Sequence, residues 1–395
     1  MNRNLLQSQD QSLFPLEDYS SFYEVGEFWT AGQRQANRIH EVSYRACFKP
    51  QLPKFFIDKF TQTGDIVYDP FAGRGTTAIE AALSSRLVIS NDVNPISRIL
   101  TEPRLQIPQL EELEKRLAII PRGGEDLDDS NLEMFYQSET MAELMGLKLY
   151  LKSRKDAGLE DYIDRWIRMV ATNRLTGHSR GFFSVYSLPP NQAVSRQSQI
   201  KINEKLSQIP GYKDTHALIM KKSKSLVSQL GARERENLAA AGSRAIFSSC
   251  DSVSTPHICS ESVALVVTSP PFLDVVQYAE DNWLRAWFND LDTVEIAGQL
   301  TMSKTVAEWS KKMLSVFREL NRVIVPGGIV AFEVGEVRGG KVNLEEAVIP
   351  LGIEAGFSLQ QVVVNQQSFS KTSNIWGITN NKTGTNSNRI VVFKK

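Results

Sequence analysis

Cysteine is scarce in this 395-residue chain. The three present, Cys47, Cys250 and Cys259, are odd in number and form no C-x-x-C pair. That argues against a disulfide framework and against a cysteine-built zinc site. The four histidines, His40, His178, His216 and His257, lie far apart without metal-ligand spacing, so no metal is expected. No apolar run approaches the roughly 18–20 residues a membrane span needs. The opening stretch, MNRNLLQSQDQSLFPLEDYS, lacks the apolar core of a secretory signal. A cytoplasmic location with no membrane partner is therefore expected. Net charge is missing too: 45 Lys+Arg balance 45 Asp+Glu, so total charge neither favours nor excludes a polyanionic partner.

What is present divides the chain into three. Within residues 1–100, GDIVYDPF reads as a strand, TTAIEAALSS as an alanine-rich helix and LVISNDV as a second strand. From 101 to 243 strand signals fade, and EELEKRLAII, MAELMGLKLYLKSR, DYIDRWIRMVATNRL and HALIMKKSKSLVSQL place apolar residues at helical spacing. This stretch is expected to be a mostly helical insertion. Over 244–395 the alternation resumes through RAIFSSCD, SVALVVTSPP, a helix at AEWSKKMLSVFRELNRV, and GGIVAFEVGE. It closes with FSLQQVVVNQQ and RIVVFKK, a predicted antiparallel hairpin at a sheet edge. Residues 110–143 are rich in acids, whereas 196–244 carry ten lysines and arginines against four acids. The basic stretch is either a solvated helical face or a phosphate-contacting surface.

The first strand runs into Asp69-Pro70-Phe71-Ala72-Gly73-Arg74-Gly75-Thr76-Thr77, which opens a helix. Two glycines permit a tight bend and close approach to a ligand, and a helix start leaves N–H groups for an anion. The stretch is neither G-x-G-x-x-G nor a P-loop, which disfavours a dinucleotide or ATP. The second strand ends at Asn91-Asp92, where an acid can accept from ribose hydroxyls. A nucleoside-bearing cofactor without a pyrophosphate is indicated, and S-adenosylmethionine (SAM) answers that description.

Farther on, a strand-forming run stops at Ser269-Pro270-Pro271-Phe272. Two prolines cannot extend a ladder, but they stiffen a turn at a strand's carboxyl end, where open α/β sheets bind ligands. If the first turn holds a methyl donor, the Ser269 hydroxyl and the Pro270 carbonyl can accept from the protons of an exocyclic amine. Phe272 can then stack on a base drawn out of its duplex.

Together, DPFAGRGTT and TSPPF resemble the SAM-dependent DNA amino-methyltransferases, which make N4-methylcytosine or N6-methyladenine. The resemblance covers about 34–100 and 244–395. It implies a Rossmann-like class-I methyltransferase with a seven-stranded mixed sheet and a large helical insertion. TSPPF is the variant usual among N4-cytosine enzymes, so methylation of cytosine N4 in double-stranded DNA is the implied activity; adenine N6, or an exocyclic amine of RNA, is the alternative. Ser269, Pro270, Pro271 and Phe272 would be catalytic. Phe71, Gly73 and Gly75 would touch SAM, Thr76 or Thr77 its carboxylate, Asp92 the ribose and Asp251 the adenine amine. His40 and the stretch Arg45–Pro53 resemble the segment before the cofactor turn, which adds Phe48, Lys49 and Pro50. Asp69 and Thr268 complete the cofactor-side candidates. The cofactor turn precedes the catalytic turn, which is not the commonest order among TSPP-bearing DNA enzymes, and a long insertion separates Asp92 from Asp251. DNA reading is expected in 101–243, with Arg180, Arg196, Lys201, Lys205, Lys221, Lys222 and Lys224 on phosphates. A cognate restriction endonuclease is a companion such enzymes can have.

Two other signals are set aside. Gly177-His178-Ser179-Arg180-Gly181 spells G-x-S-x-G, but it follows a helical pattern where a hydrolase elbow needs a strand. Cytosine C5 methylation needs a thiolate at the catalytic turn, and no cysteine stands there.

Overall fold

The computed structural model describes residues 19–29, 36–45, 47–123, 131–188, 192–271, 278–299, 303, 305–334, 336–337, 342–366 and 387–395. In chain order, β1 (Tyr23–Gly26) and α1 (Gln51–Phe60) precede β2 (Ile66–Asp69), α2 (Thr76–Leu83), β3 (Leu87–Asn91) and α3 (Ile96–Thr101). The helical stretch follows: α4 (Leu110–Ile119), α5 (Ser138–Asp156), α6 (Tyr162–Arg174), α7 (Arg196–Leu206), α8 (Thr215–Val227) and α9 (Ala232–Gly242). Next come β4 (Ile246–Ser248), β5 (Val263–Thr268), α10 (Tyr278–Asp281), α11 (Trp283–Phe288), α12 (Thr293–Gln299) and α13 (Val306–Val323). The chain ends with β6 (Ile324–Val334), a small pair β7 (Glu336–Val337) and β8 (Val342–Asn343), α14 (Leu344–Glu354), β9 (Ser358–Gln366) and β10 (Ser387–Lys394).

The main sheet runs β1-β9-β10-β6-β5-β2-β3-β4. Strands β4, β3, β2, β5 and β6 are parallel to their neighbours in turn, and β10 is antiparallel to both β6 and β9. This is the expected Rossmann-like class-I methyltransferase sheet, with one correction. It has eight strands, not seven, because β1 adds itself in parallel to β9. The terminal β9–β10 pair is antiparallel as expected, but β1, not the hairpin, forms the edge on that side.

Strand alternation sorts the core into two layers. Val67, Leu265, Val267, Ala331 and Ile390 face a core shared with α1 and α2. Tyr68, Val266, Phe332 and Val391 face a second core under α13 and α14. In α13, Trp309, Met313, Val316, Phe317, Leu320 and Val323 are buried at intervals of three and four, the stripe that seats a helix on a sheet. Thr305 accepts from the N–H of Glu308 at 3.2 Å and caps its start.

The insertion is helical, as its spacing predicts. Trp166, Ile167, Val170, Leu226 and Leu238 belong to the same apolar cluster as Ile79, Ala82 and Leu265. It therefore extends one helical layer of the sheet over a continuous core. The G-x-S-x-G run follows the end of α6, with no strand before it.

Helix α2 starts behind Gly75, whose φ of +74° lies in the left-handed region. A Cβ at Gly75 would fall 2.3 Å from the Thr101 side chain, whereas one at Gly73 (φ +51°) would meet the Tyr44 ring at an ordinary 3.6 Å. Gly75 is thus required by conformation and by space, Gly73 by conformation. Gly75→Ala should destabilise the protein by about 1–3 kcal/mol and more than Gly73→Ala does. Chemical denaturation of both variants checks the order.

Candidate active site

The two turns leave neighbouring strands at one edge. β2 ends at Asp69 and β5 at Thr268, and the two pair in parallel with Tyr68 opposite Val266. Adjacent strands run about 4.8 Å apart. The strand ends are tied together by side chains: the Thr268 hydroxyl donates to Asp69 Oδ1 at 2.6 Å, and the Thr77 hydroxyl donates to the Val267 carbonyl at 3.0 Å. Asp69 also accepts from the Phe71 N–H at 3.1 Å. Burial pushes the Asp69 carboxyl up to about 7. Asp69, Thr77 and Thr268, placed on the cofactor side by sequence, are buried and join the two turns to each other.

Asp92 sits just past β3 on the other flank of β2. Its Oδ2 accepts from the Gly73 N–H at 2.7 Å and its Oδ1 from the Asn94 N–H at 2.9 Å. The side chain is half-buried, and desolvation raises it to about 6. A carboxylate aimed by two backbone donors, with lone pairs remaining, suits a ribose diol. Thr76 and Thr77 are buried in the first turn of α2, whose N–H groups have no partner within the helix.

Several supports were invisible as motifs. Asn91, fully buried, donates to the carbonyls of Pro70 (3.3 Å) and Cys250 (2.9 Å) and accepts from the Cys250 N–H at 3.0 Å. Ser252 donates to the Pro70 carbonyl at 2.7 Å. The 250–252 segment is thereby stitched to the cofactor turn, although the Asp251 carboxylate itself is exposed and paired with Lys312. Arg74 reaches the carbonyls of Val42 (3.2 Å) and Phe48 (3.4 Å), holding the predicted Phe48–Pro50 segment against the turn. Lys49, partly buried there, has its pKa lowered by desolvation. Arg104, fully buried, donates to the carbonyls of Arg74, Leu100 and Ile39. Its burial lowers it to about 9. His40 is buried against Glu80 of α2 at 2.7 Å. Only adjacency to a motif could have pointed to Asn91 and Arg74, and nothing in the sequence pointed to Arg104.

At the turn expected to be catalytic, Ser269 is half-buried, Pro270 is buried, and the Pro271 carbonyl accepts from Trp309 Nε1 at 3.0 Å. That bond anchors the turn to α13. Ser269 lies beside Glu333 of β6, each one residue past the paired Thr268 and Phe332. Phe272 lies outside the described residues. Among the described residues, no group of three or more His, Cys, Asp or Glu side chains could hold a metal. Nor does any of them form a helix long and apolar enough to cross a membrane.

Of the basic residues expected on phosphates, Arg180, Lys201, Lys205, Lys221 and Lys224 are exposed. Arg196, also exposed, lies over the Trp283 ring at 4.7 Å, just beyond the catalytic turn. Lys222 is different. It is mostly buried, burial lowers it to about 8, and it pairs with Glu41 at 3.4 Å.

The sheet order is that of a class-I methyltransferase fold, and the two turns emerge at one edge of it. Residues 6–99 match the sequence model of a family described as DNA methylase. The chain is 30% identical over 86 residues to the type II methyltransferase M.MjaII of Methanocaldococcus jannaschii, covering 22% of this chain and 16% of that protein. It is 38% identical over 88 residues to the type II methyltransferase M.BsoBI of Geobacillus stearothermophilus, covering 20% and 17%. The chain thus spans about a sixth of the length of the curated relatives it matches. Among solved structures, it overlays a SAM-dependent methyltransferase of Methanosarcina mazei at TM-score 0.35 and 11% identity, over 86% of this chain and 96% of that one. The rRNA methyltransferase AviRa of Streptomyces viridochromogenes overlays at 0.34 and 12%, over 90% and 89%. The resemblance to the DNA amino-methyltransferases is borne out by the family match over the stretch that carries the cofactor turn.

Asp69 carries a pH dependence. Its pKa rises from 3.8 to about 7 on folding, so between those values the folded protein binds more protons than the unfolded chain. Its contribution therefore makes stability fall as pH rises through that window. Asp69→Asn keeps an acceptor for Thr268 and should flatten this decline by on the order of 1 kcal/mol or more. Denaturant midpoints measured across the window, with and without the substitution, check it.

Proposed function

We propose that the chain transfers a methyl group from SAM to the N4 amine of a cytosine extruded from double-stranded DNA. The observation that carries this reading is the joining of the two turns at neighbouring strand ends by the Thr268–Asp69 and Thr77–Val267 hydrogen bonds. Bound at the glycine turn, SAM supplies an electrophilic methyl on a sulfonium. The residues present fit it: Asp92 for the ribose, the start of α2 for the carboxylate, and Phe71, half-buried beside the turn, for an apolar face. Ser269 and the Pro270 carbonyl orient the acceptor amine by accepting its protons, which favours a nucleophilic nitrogen. The bond from Trp309 to Pro271 fixes that turn. Positioning and electrostatics dominate, because the methyl is already activated.

The choice of cytosine N4 over adenine N6 rests on the TSPPF form of the turn. Exposed Arg180, Arg196, Lys201, Lys205, Lys221 and Lys224 are assigned to DNA phosphates, while Lys222 stays with Glu41. A cognate restriction endonuclease is the companion proposed for it.

Single-molecule sequencing of DNA from cells expressing the chain should reveal N4-methylcytosine at a short defined sequence. N6-methyladenine would reassign the base, and unmodified DNA would defeat the proposal. Ser269→Ala should cut turnover at least about tenfold with SAM affinity retained, whereas Asp92→Ala should weaken SAM binding in calorimetry. Replacing Lys201 and Lys205 together by Ala should reduce the slope of log affinity against log salt by up to about 2. An unchanged slope would move the DNA surface elsewhere.

A further inference from the structure

Glu333 is a buried acid outside both turns. It lies near the carboxyl end of β6, one residue past Phe332, which is paired with Thr268. Alternation explains the company it keeps. Val267, Ala331 and Ile390 all face the core shared with α1 and α2. Two residues along each strand, the same pleat carries Ser269, Glu333 and Asn388 to that face. Glu333 is 8% exposed. It accepts from Asn388 Nδ2 through Oε1, and the register of β5 against β6 sets the Ser269 side chain next to it. Both neighbours, Asn388 and Ser269, are uncharged. The neighbouring cation on β10, Arg389, turns to the opposite face and pairs with Glu345. A buried carboxyl held by neutral donors costs folding energy that an apolar residue would not.

We propose that Glu333 is a positioning residue for methyl transfer: it accepts the only proton of the Ser269 hydroxyl, so that the serine oxygen can offer the substrate amine lone pairs alone. The inference rests on the amine-methylation reading. A serine hydroxyl left to rotate can point its own proton at the substrate and repel an amine that must also donate. The two prolines after Ser269 bring no N–H into the turn, and the Pro271 carbonyl is already engaged by Trp309. With the Ser269 proton drawn to β6, Ser269 Oγ and the Pro270 carbonyl form a pair of acceptors. Such a pair fits an amino group and disfavours a ring carbonyl, so the chemistry selected is a nucleobase bearing an exocyclic amine.

The test is a double-mutant cycle on the full chain, using single-turnover methylation of duplex DNA and calorimetric SAM binding. Glu333→Ala and the near-isosteric Glu333→Gln should each lower the single-turnover rate at least about tenfold and leave SAM affinity within about threefold. Placed on Ser269→Ala, either substitution should cause no further loss, because the residue acts through that hydroxyl. Glu333→Asp should recover part of the rate lost in Glu333→Ala. Wild-type rates in Glu333→Gln, or losses that multiply in the double variants, overturn the inference while Ser269→Ala remains impaired. A wild-type chain that methylates no DNA, or a Ser269→Ala chain at full rate, strikes the reading beneath and takes this inference with it. A Glu333→Gln chain that unfolds or loses SAM binding marks Glu333 as structural and also overturns it.

Discussion

The pairing of β2 with β5 is the constraint on which the rest depends. Parallel neighbours end at the same edge, so whatever follows Asp69 and whatever follows Thr268 must emerge side by side. The hydrogen bond from Thr268 to buried Asp69 turns that proximity into a fixed relation. A hydrogen bond to a buried acid contributes roughly 1–3 kcal/mol, and losing one partner strands the other in a dry environment. The two loops are therefore held in register by the same side chains that terminate their strands.

Around this joint, the loops are held from outside. Arg104 holds the Arg74 carbonyl from beneath, Arg74 draws in the 42–48 segment, and Asn91 and Ser252 fasten the chain after β4 to Pro70. Trp309 does the same for Pro271 from the opposite layer. Each contact uses a backbone carbonyl that a tight turn would otherwise leave unpaired. Rigid loops matter for a group transfer whose acceptor must be oriented.

The insertion shows how a long helical segment can share one core with the sheet it interrupts. Its apolar residues continue the core of the α1–α2 layer, and its segment before α7 docks on the region after the catalytic turn. There Arg45 pairs with Asp281 at 2.7 Å and donates to Gln192 at 2.9 Å, and Trp283 donates to the Val194 carbonyl at 3.1 Å.

Much was legible in the linear sequence. Strand and helix periods follow from which side chains must be buried, and the DPFAGRG and TSPP turns follow from what glycine permits and proline forbids. Those are local rules, so the α/β class, the helical insertion and the two turns could be read before any coordinates. The eighth strand could not, because YEVG gains its pairing only when β9 offers an edge. Nor could Lys222 be told from Lys221, since helical spacing does not reveal that Glu41 waits beside one of them. Glu333, Asn91 and Arg104 belong to the same group: each has a partner far along the chain, 55, 159 and 65 residues away. Sequence determined the shape of each turn, because backbone φ and missing N–H groups act within a few residues. Tertiary structure alone decided which turn faces which and which buried acid meets which hydroxyl, because strand order sets those neighbours.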